Sequence, residues 1–279
     1  MSQVTVVGLG IIGSIWAKHY REDGHEVRVW NRTPKPDEIG FVPDLAQSFN
    51  GSALIHICVA DPAAVQSVLD VILLKLTPGQ LVVQSSTISP QAATSFSKQV
   101  TDAGASYLEA PFTGSKPAAE ARQLVFFQGG KAEAVEQALT YLEPLSRKQF
   151  ALGTPAQAAA IKLSMNLQIA AVSQALTEGW HVAQHYGLSH DQFYEVLREN
   201  VAHSGLADLK EPKLRTGDIS PQFSVKHMRK DVGLALEAAS ELRLRLSERT
   251  KEIYDAGIEA GLADDDFIAL EQLVRPPKS

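Results

Sequence analysis

Two polar side chains interrupt a long apolar stretch of this 279-residue sequence. Lys162 and Asn166 are spaced one helical turn apart, and therefore on one face, within the segment 153–187. Burying a lysine among Ala, Leu and Ile costs free energy unless the ammonium is paired or used. A positioned ammonium can stabilise negative charge on a substrate oxygen and donate a proton to it. The alternative is that the stem of Lys162 reaches solvent near the helix start.

The segment around these two residues is predicted to form a long central helix. Thr154 and Pro155 provide a hydroxyl cap and a proline at the first helical position. No further proline or glycine occurs before Gly179, and Ala, Leu, Ile, Met and Gln favour helix. Because the segment is apolar on nearly every face, we expect it at the centre of the protein, covered on all sides.

A glycine-rich turn near the N-terminus is the second candidate site. Residues 3–7 predict a strand, the segment up to Gly24 a helix, and residues 26–31 a second strand. The turn before the helix matches G-x-G-x-x-G, whose glycines allow a tight turn, close approach of a pyrophosphate and close packing of helix on strand. We expect a dinucleotide to bind this turn, which consists of Gly8, Leu9, Gly10, Ile11, Ile12 and Gly13.

The end of the second predicted strand indicates which dinucleotide binds. An NAD site places an acid about 20 residues beyond the glycines, where it binds the ribose hydroxyls. This sequence has Asn31, Arg32 and Thr33 there instead. Because an arginine pairs with a 2′-phosphate that an acid would repel, NADP(H) is the expected cofactor. The alternative is an exposed arginine in an ordinary turn.

Strands and helices continue to alternate, which predicts a parallel, doubly wound α/β sheet. The predicted elements are strands at 54–60, 81–87, 106–111, 124–130 and 148–153 and helices from Pro62, Ser89 and Lys131. At one strand end, Thr87 has a hydroxyl available on the nicotinamide side, or it caps the helix that follows. The segment before 124–130 is expected to be a loop, and its Thr113, Gly114 and Ser115 form either a nest for a carboxylate or an ordinary turn.

The remainder of the sequence predicts only helices. One begins at Ser189, one near Ser224, and the last covers 264–275 with three aspartates at its start. We interpret this acidic run, Asp264 to Asp266, as a favourable helix N-terminus rather than a metal site. His181 and His185 are four residues apart on the central helix, but without a third ligand they are interpreted as packing or interface residues, so no metal is expected.

The change of pattern predicts a dinucleotide-binding domain at 1–153 and an all-helical domain at 154–279. A net charge of −6 and a pI near 5.8 argue against nucleic acid as the main partner. The single Cys58 excludes an internal disulfide framework and fits a reducing compartment. Neither a membrane-spanning run nor a signal-peptide pattern occurs, so a cytoplasmic protein is expected.

Five motifs together resemble the β-hydroxyacid dehydrogenase family, and they extend over the whole chain. They are GLGIIG at 8–13, NRT at 31–33, EAPFTGSKPAAE at 109–120, IKLSMN at 161–166 and FSVKHMRKDVGLAL at 223–236. The resemblance implies a Rossmann domain joined by a long central helix to a helical substrate and dimerisation domain, and assembly into dimers or tetramers. The NRT turn and the SK-P loop are most similar to the branch of NADPH-dependent glyoxylate and succinic semialdehyde reductases.

The resemblance also implies roles for individual residues. Lys162 would be the catalytic residue, and Asn166 would orient it and the substrate. Lys230 would lie against the cofactor, with Asp231 supporting that arrangement. The loop at 113–115 would hold the substrate carboxylate, and Phe223 would form a wall of the pocket. The predicted substrate-binding residues are therefore Thr113, Gly114, Ser115, Phe223 and Asp231.

The reaction implied by the resemblance is reduction of a small aldehyde acid by NADPH, with Lys162 as general acid. Two alternatives stay open: an NADPH-dependent imine reductase, although that family generally has Asp or Tyr at the position of Lys162, and a dinucleotide-binding module without turnover. One hypothesis is that Arg122, which replaces a usual glycine, enters the pocket as a second carboxylate anchor. The other departures from the family pattern are Thr113 for Ser, Ala156 and Ala158 for Gly, and Ile12 for Met.

Overall fold

The computed structural model describes residues 2–274. The chain divides into two compact units, Met1–Leu163 and Ser164–Ser279. This division falls inside one continuous helix, whereas the sequence pattern changes at residue 153. The domain limits 1–153 and 154–279 stay predictions.

The first unit alternates strands with helices along most of its length. Its strands are β1 Gln3–Val7, β2 Glu26–Trp30, β3 Leu54–Ile57, β4 Leu81–Gln84, β5 Ser106–Glu109, β6 Phe112–Thr113, β7 Leu124–Gly130 and β8 Ser146–Ala151. Its helices are α1 Ile11–Glu22, α2 Leu45–Ser48, α3 Pro62–Ile72, α4 Pro90–Asp102, α5 Lys116–Glu120, α6 Ala132–Leu142 and the 3₁₀ segment Glu143–Leu145. Several strands end two or three residues earlier than predicted: β3 ends at Ile57 rather than at 60, β4 at Gln84 rather than at 87, and β5 at Glu109 rather than at 111.

The sheet confirms the predicted Rossmann-type α/β architecture. Its strands β2, β1, β3, β4 and β5 lie side by side in that order and are all parallel. β7 departs from the prediction, because it pairs antiparallel with β5 and β6 and parallel with β8. The segment before β7 is also not simply a loop, since it contains β6 and the five-residue α5. β7 folds back on β6, which fixes its direction.

Helices cover both faces of this sheet. Val4 and Val6 of β1 pack in one cluster with Trp16 of α1 and with α6, whereas Ile55 and Ile57 of β3 pack in a second cluster with α3 and α4. Successive side chains of a strand point to opposite faces, so a strand buried on both faces is apolar throughout. Each fully buried aliphatic side chain of this kind contributes about 1.5–3 kcal/mol to stability.

The second unit is helical, as predicted. The long helix α7, Pro155–His185, enters it from the first unit and is followed by α8 His190–Glu199, α9 Gly205–Thr216, α10 Val225–Ala238, α11 Arg245–Glu259 and the 3₁₀ segment Phe267–Leu273. A small core forms around the fully buried ring of Tyr254, with Val225 and Val232 of α10 against it. No helix within residues 2–274 is long and apolar enough to cross a membrane.

Local signals for α7 are confirmed, but its expected complete burial is wrong. The Thr154 hydroxyl accepts a hydrogen bond from the Gln157 N–H, and the Gln157 side chain accepts one from the Thr154 N–H. The helix passes through Gly179, and its carboxyl-terminal part is exposed in this single chain, with Val182 63% accessible.

Three further elements of the second unit differ from the prediction. α9, with Pro212 inside it, and α11 were not predicted. The last element is a 3₁₀ segment rather than an α-helix, although Asp266 caps it as expected of a helix start. The predicted end of that helix, at residue 275, lies outside the described residues.

Candidate active site

The glycine-rich turn between β1 and α1 has space where a dinucleotide needs it. A Cβ on Gly8, whose φ is +102°, would lie 2.1 Å from the carbonyl oxygen of Cys58, and one on Gly13 would lie 1.9 Å from that of Gly8. These glycines therefore allow backbone segments to touch. A Cβ on Gly10 would meet nothing within 4 Å, and no side chain caps the helix there. The open N-terminus of α1 thus fits the pyrophosphate of a nicotinamide dinucleotide.

Asn31 connects this turn to the segment that follows β2. Its Oδ1 accepts a hydrogen bond from the Leu9 N–H at 2.9 Å, and its Nδ2 donates to the Thr33 carbonyl oxygen at 2.8 Å. One amide side chain therefore holds both parts of the predicted cofactor site. An aspartate could not donate the second of these hydrogen bonds when ionised.

Two cations follow Asn31 within this segment. The Arg32 side chain is exposed. Lys35 is half-buried, and its Nζ donates to the Leu9 carbonyl oxygen at 2.7 Å. The sequence analysis did not identify Lys35 as a cofactor-site residue. Its position three residues after Arg32, between two prolines, was a signal that could have found it. The structure thus places a second positive charge against the glycine-rich turn.

The carboxyl ends of β4 and β5 carry a buried polar network. Glu109 accepts hydrogen bonds from the Tyr107 hydroxyl at 2.6 Å and from the Gln84 amide at 2.9 Å. Burial raises the pKa of Glu109 to about 8, against the opposing effect of these two hydrogen bonds. Beyond β4, Ser89 caps α4 with its hydroxyl, so Thr87 is not the N-cap of that helix. A cofactor role for Thr87 stays a prediction.

The predicted carboxylate loop follows directly from β6. Thr113 pairs with Val125 of β7, and Gly114 adopts a φ of +130°, where a Cβ would lie 2.7 Å from a methyl of Leu124. Ser115 is the N-cap residue of α5, and its side chain makes no capping hydrogen bond. The loop therefore turns tightly through the glycine.

Lys162 lies in the first unit beside the strand that leads into this loop. It is half-buried, and its Nζ lies 5.9 Å from the centre of the Phe112 ring. That ring is held in turn by Trp16, at 5.2 Å in an edge-to-face arrangement, and by Phe126. Sequence reasoning did not identify Phe112, which carries no polar atom. An ammonium at this distance from an aromatic face is attracted to it.

In the second unit, α7 and α10 bring three predicted residues together. The Asn166 amide donates to Asp231 Oδ2 at 2.5 Å, and Lys230 Nζ lies 3.0 Å from Asp231 Oδ1. Asn166 and Asp231 are both buried. The carboxylate thus fixes the amide of Asn166, one turn along α7 from Lys162. Burial, and then the charges of Lys230 and Lys226, lower the pKa of the neighbouring His227.

The hypothesis that Arg122 is a carboxylate anchor is not supported. Its guanidinium donates to Asp23 at 2.8 Å and to Glu22 at 3.2 Å, at the end of α1, and to the Pro144 carbonyl oxygen. Ala158 is fully buried, and its Cβ would lie only 2.9 Å from a Cβ on Gly129, so its methyl group fills the interior of the first unit.

Two family models together match nearly the whole chain. Residues 3–153 match the NAD-binding domain of 6-phosphogluconate dehydrogenase, and residues 156–274 match the NAD-binding domain of NADP-dependent 3-hydroxyisobutyrate dehydrogenase. Within residues 2–274, no cluster of three His, Cys, Asp or Glu side chains could hold a metal ion.

Similar proteins have consistent descriptions. The chloroplastic glyoxylate/succinic semialdehyde reductase 2 of Arabidopsis thaliana is 29% identical over 98% of this chain and 79% of its own length. Reductase 1 of that plant is 27% identical over 98% of each chain. A solved 3-hydroxyisobutyrate dehydrogenase of Mycobacterium tuberculosis with L-serine has a TM-score of 0.89, at 25% identity over 99% of this chain and 100% of its own.

An imine reductase from Pseudomonas sp. is a more distant structural neighbour. It has a TM-score of 0.63 and 21% identity over 98% of this chain and 99% of its own, which shows a shared fold alone.

A Rossmann-type sheet with a glycine-rich turn, followed by a helical unit, fits a protein that binds a nicotinamide dinucleotide. The chain belongs to the β-hydroxyacid dehydrogenase family and is an NAD(P)-dependent dehydrogenase or reductase.

Proposed function

We propose that this enzyme uses NADPH to reduce a small aldehyde acid, of the glyoxylate or succinic semialdehyde type, to the hydroxy acid. The observation that carries the proposal is the position of Lys162. Its ammonium lies at the Phe112 ring, and Phe112 directly precedes the loop that we assign to the substrate carboxylate. The names of the two Arabidopsis relatives support this substrate class.

The preference for NADPH is proposed from the segment after β2. No acid stands at residues 31–33, where an NAD site would bind the ribose hydroxyls. Arg32 presents an exposed guanidinium, and Lys35 adds a second cation beside the turn. Both suit a 2′-phosphate.

The bound cofactor supplies the hydride, and the protein supplies orientation and the proton. As the aldehyde carbon is reduced, negative charge develops on its oxygen, where the Lys162 ammonium stabilises it and then transfers a proton to it. Asn166, which Asp231 holds in one orientation, is assigned to direct Lys162 and the substrate oxygen. The N–H groups and hydroxyls of Thr113, Gly114 and Ser115 are assigned to the carboxylate. Phe223 is assigned as a wall of the pocket, and Lys230 as a cofactor contact.

The test is oxidation of NADPH and of NADH with glyoxylate and with succinic semialdehyde, in wild type, Lys162→Ala and a matched control. Lys98→Ala is the control because Lys98 is an exposed lysine on α4. We expect NADPH to be preferred and kcat to fall about 10²–10⁴-fold in Lys162→Ala, the range for loss of a general acid. Lys98→Ala should match wild type.

Two other outcomes would replace the proposal. Turnover of a cyclic imine above that of any aldehyde acid would favour an imine reductase. NADPH binding without turnover on a broad carbonyl panel, with no activity that depends on Lys162, would favour a non-catalytic module. The dimeric or tetrameric state and the cytoplasmic location stay predictions.

A further inference from the structure

The carboxylate of Asp266 is buried and binds the segment that leads into α10. Asp266 precedes the 3₁₀ segment Phe267–Leu273, and its Oδ2 accepts hydrogen bonds from the backbone N–H of Gln222 at 2.9 Å and of Phe223 at 3.3 Å. The Phe223 carbonyl oxygen accepts a further hydrogen bond from the N–H of Phe267 at 3.0 Å. The backbone of Phe223 is therefore bound through both its donor and its acceptor.

Lys210 of α9 supplies the matching positive charge. Its Nζ lies 2.7 Å from Asp266 Oδ1, 3.1 Å from Gln222 Oε1 and 4.3 Å from the centre of the Phe267 ring. The Lys210 and Asp266 side chains are 1% and 0% exposed. Removing two charges from water costs so much that a buried pair adds little net stability, even with good hydrogen bonds. We therefore consider what the pair does to the backbone at Gln222 and Phe223, rather than what it adds to stability.

A second lysine on α9 holds the other end of the same segment. Lys213 Nζ donates to Asp218 Oδ2 at 2.8 Å and to the Ser220 carbonyl oxygen at 2.6 Å. The segment 217–224 is thus tied at two points to one helix, and it has little freedom to move.

The side chain that this arrangement orients is Phe223. Its ring is half-buried, packs against the core of the second unit, and lies 6.0 Å from the His227 ring at 30°. Because its backbone N–H and carbonyl are both bound, the direction of its Cα–Cβ bond depends on Asp266.

We propose that the Lys210–Asp266 ion pair positions substrate, by fixing the Gln222–Phe223 backbone and hence the place of the Phe223 ring. The inference rests on the proposed function in one respect, the role of Phe223 as a pocket wall. Lys210 and Asp266 are positioning residues, because they act through Phe223. The pair governs the affinity for the aldehyde acid, whereas proton transfer depends on Lys162.

The first test is a double-mutant cycle on the intact enzyme, with Lys210→Met, Phe223→Ala and both together. Lys210→Met should raise the KM for the aldehyde acid about tenfold and leave kcat within about twofold. This result is expected when a mutation removes an interaction that binds the substrate and the transition state equally well. NADPH affinity should not change. If Lys210 acts through Phe223, the double variant has the KM of Phe223→Ala alone. If instead the fold-change in KM of the double variant is the product of the two single fold-changes, the proposal is overturned.

The matched control is Lys226→Met, the same substitution in the exposed Lys226–Asp264 pair near the same segment. It should leave KM unchanged. Lys210→Gln, which keeps a neutral donor for Asp266, is measured beside Lys210→Met and replaces it in the cycle if the methionine variant does not fold. An unchanged KM in a folded Lys210 variant would also overturn the proposal.

The second test does not require turnover. The enzyme is labelled with 4-fluorophenylalanine, and the ¹⁹F resonance of Phe223 is assigned with Phe223→Leu. We expect the folded Lys210 variant to shift or broaden this resonance and Lys226→Met to leave it in place. An unmoved Phe223 resonance overturns the positioning role even if no aldehyde acid is reduced. An inactive wild type with a moved resonance overturns only the proposed substrate.

Discussion

Glu109 and Asp266 are both 0% exposed, yet they lie in surroundings of opposite character. Glu109, at the end of β5, accepts hydrogen bonds from two neutral groups, the Tyr107 hydroxyl and the Gln84 amide. Asp266 accepts hydrogen bonds from the Lys210 ammonium and from three backbone N–H groups. Burial raises the pKa of Glu109 to about 8, so this group is mainly a neutral acid at pH 7.

The comparison teaches that the charge state of a buried carboxyl group depends on whether its hydrogen-bond donors are charged or neutral. Asp266 has the donors that an anion needs, and it organises the segment around Phe223. Glu109 accepts its hydrogen bonds from two neutral groups, which offset the cost of burying its charge only in part, so its pKa stays raised. The two units should therefore respond differently to substitution and to pH.

Among these predictions, the largest loss in the free energy of unfolding is expected for Asp266→Ala. Removing the carboxylate leaves the Lys210 ammonium buried without its partner, which costs about 3–5 kcal/mol in comparable pairs. Urea unfolding followed by circular dichroism measures the loss. Asp264→Ala is the control, because the Asp264 side chain is 83% exposed and solvent screens its pair with Lys226, so the pair should contribute little to stability. Equal losses in the two variants would remove the distinction between buried and exposed pairs.

Glu109→Gln should change how stability depends on pH. The folded-state pKa of Glu109, about 8, lies above its ordinary value of 4.5. The contribution of Glu109 to the stability of the protein is therefore fully present below pH 4.5 and is lost as the pH rises through 8. Between pH 6 and 9 this loss is on the order of 3 kcal/mol in wild type. Burial and the Glu109 charge raise the pKa of Tyr107 well above 10, so Tyr107 stays protonated in this range.

The glutamine variant stays neutral, so it should lose less stability over this range and exceed wild type at pH 9. Urea unfolding at pH 6, 7.5 and 9 measures the difference, with Glu120→Gln on the exposed face of α5 as the control. Parallel curves for wild type and Glu109→Gln would show that Glu109 titrates normally, and the contrast with Asp266 would fail.

Local sequence signals predicted much of the fold because the physical causes are themselves local. The Thr154 cap and the proline that begins α3 each depend on residues within one turn. The direction of β7 depends on which strand lies beside it, and Pro212 masked α9. Neither is visible in a short window of sequence.

The residues of the candidate site also divide into those that local sequence predicts and those that only the fold brings together. Spacing and family resemblance named Lys162 and Asn166, whose roles stay predictions. The hydrogen bonds of Asn31 and the place of Lys35 required the structure, as did the Lys210–Asp266 pair, whose members are 56 positions apart. Such partners are found only when the fold brings distant segments together.

The smallest changes in the free energy of unfolding are expected for substitutions of Arg122. Its ion pairs with Glu22 and Asp23 lie nearer the surface than the Lys210–Asp266 pair. Arg122 has a φ of +58°, a left-handed conformation that costs a non-glycine residue roughly 1–2 kcal/mol. Arg122→Ala loses the hydrogen bonds and keeps this strain, so it should destabilise by about 1–2 kcal/mol. Arg122→Gly loses the same bonds and releases the strain.

The glycine variant should therefore be more stable than the alanine variant by about 1 kcal/mol, measured as the difference in urea unfolding free energy. The KM for the aldehyde acid should equal that of wild type in both variants, because the guanidinium is bound to the end of α1. A KM that rises in both by a similar factor would return Arg122 to the substrate as a carboxylate anchor. Equal stability of Ala and Gly at this position would mean that the positive φ carries no strain there.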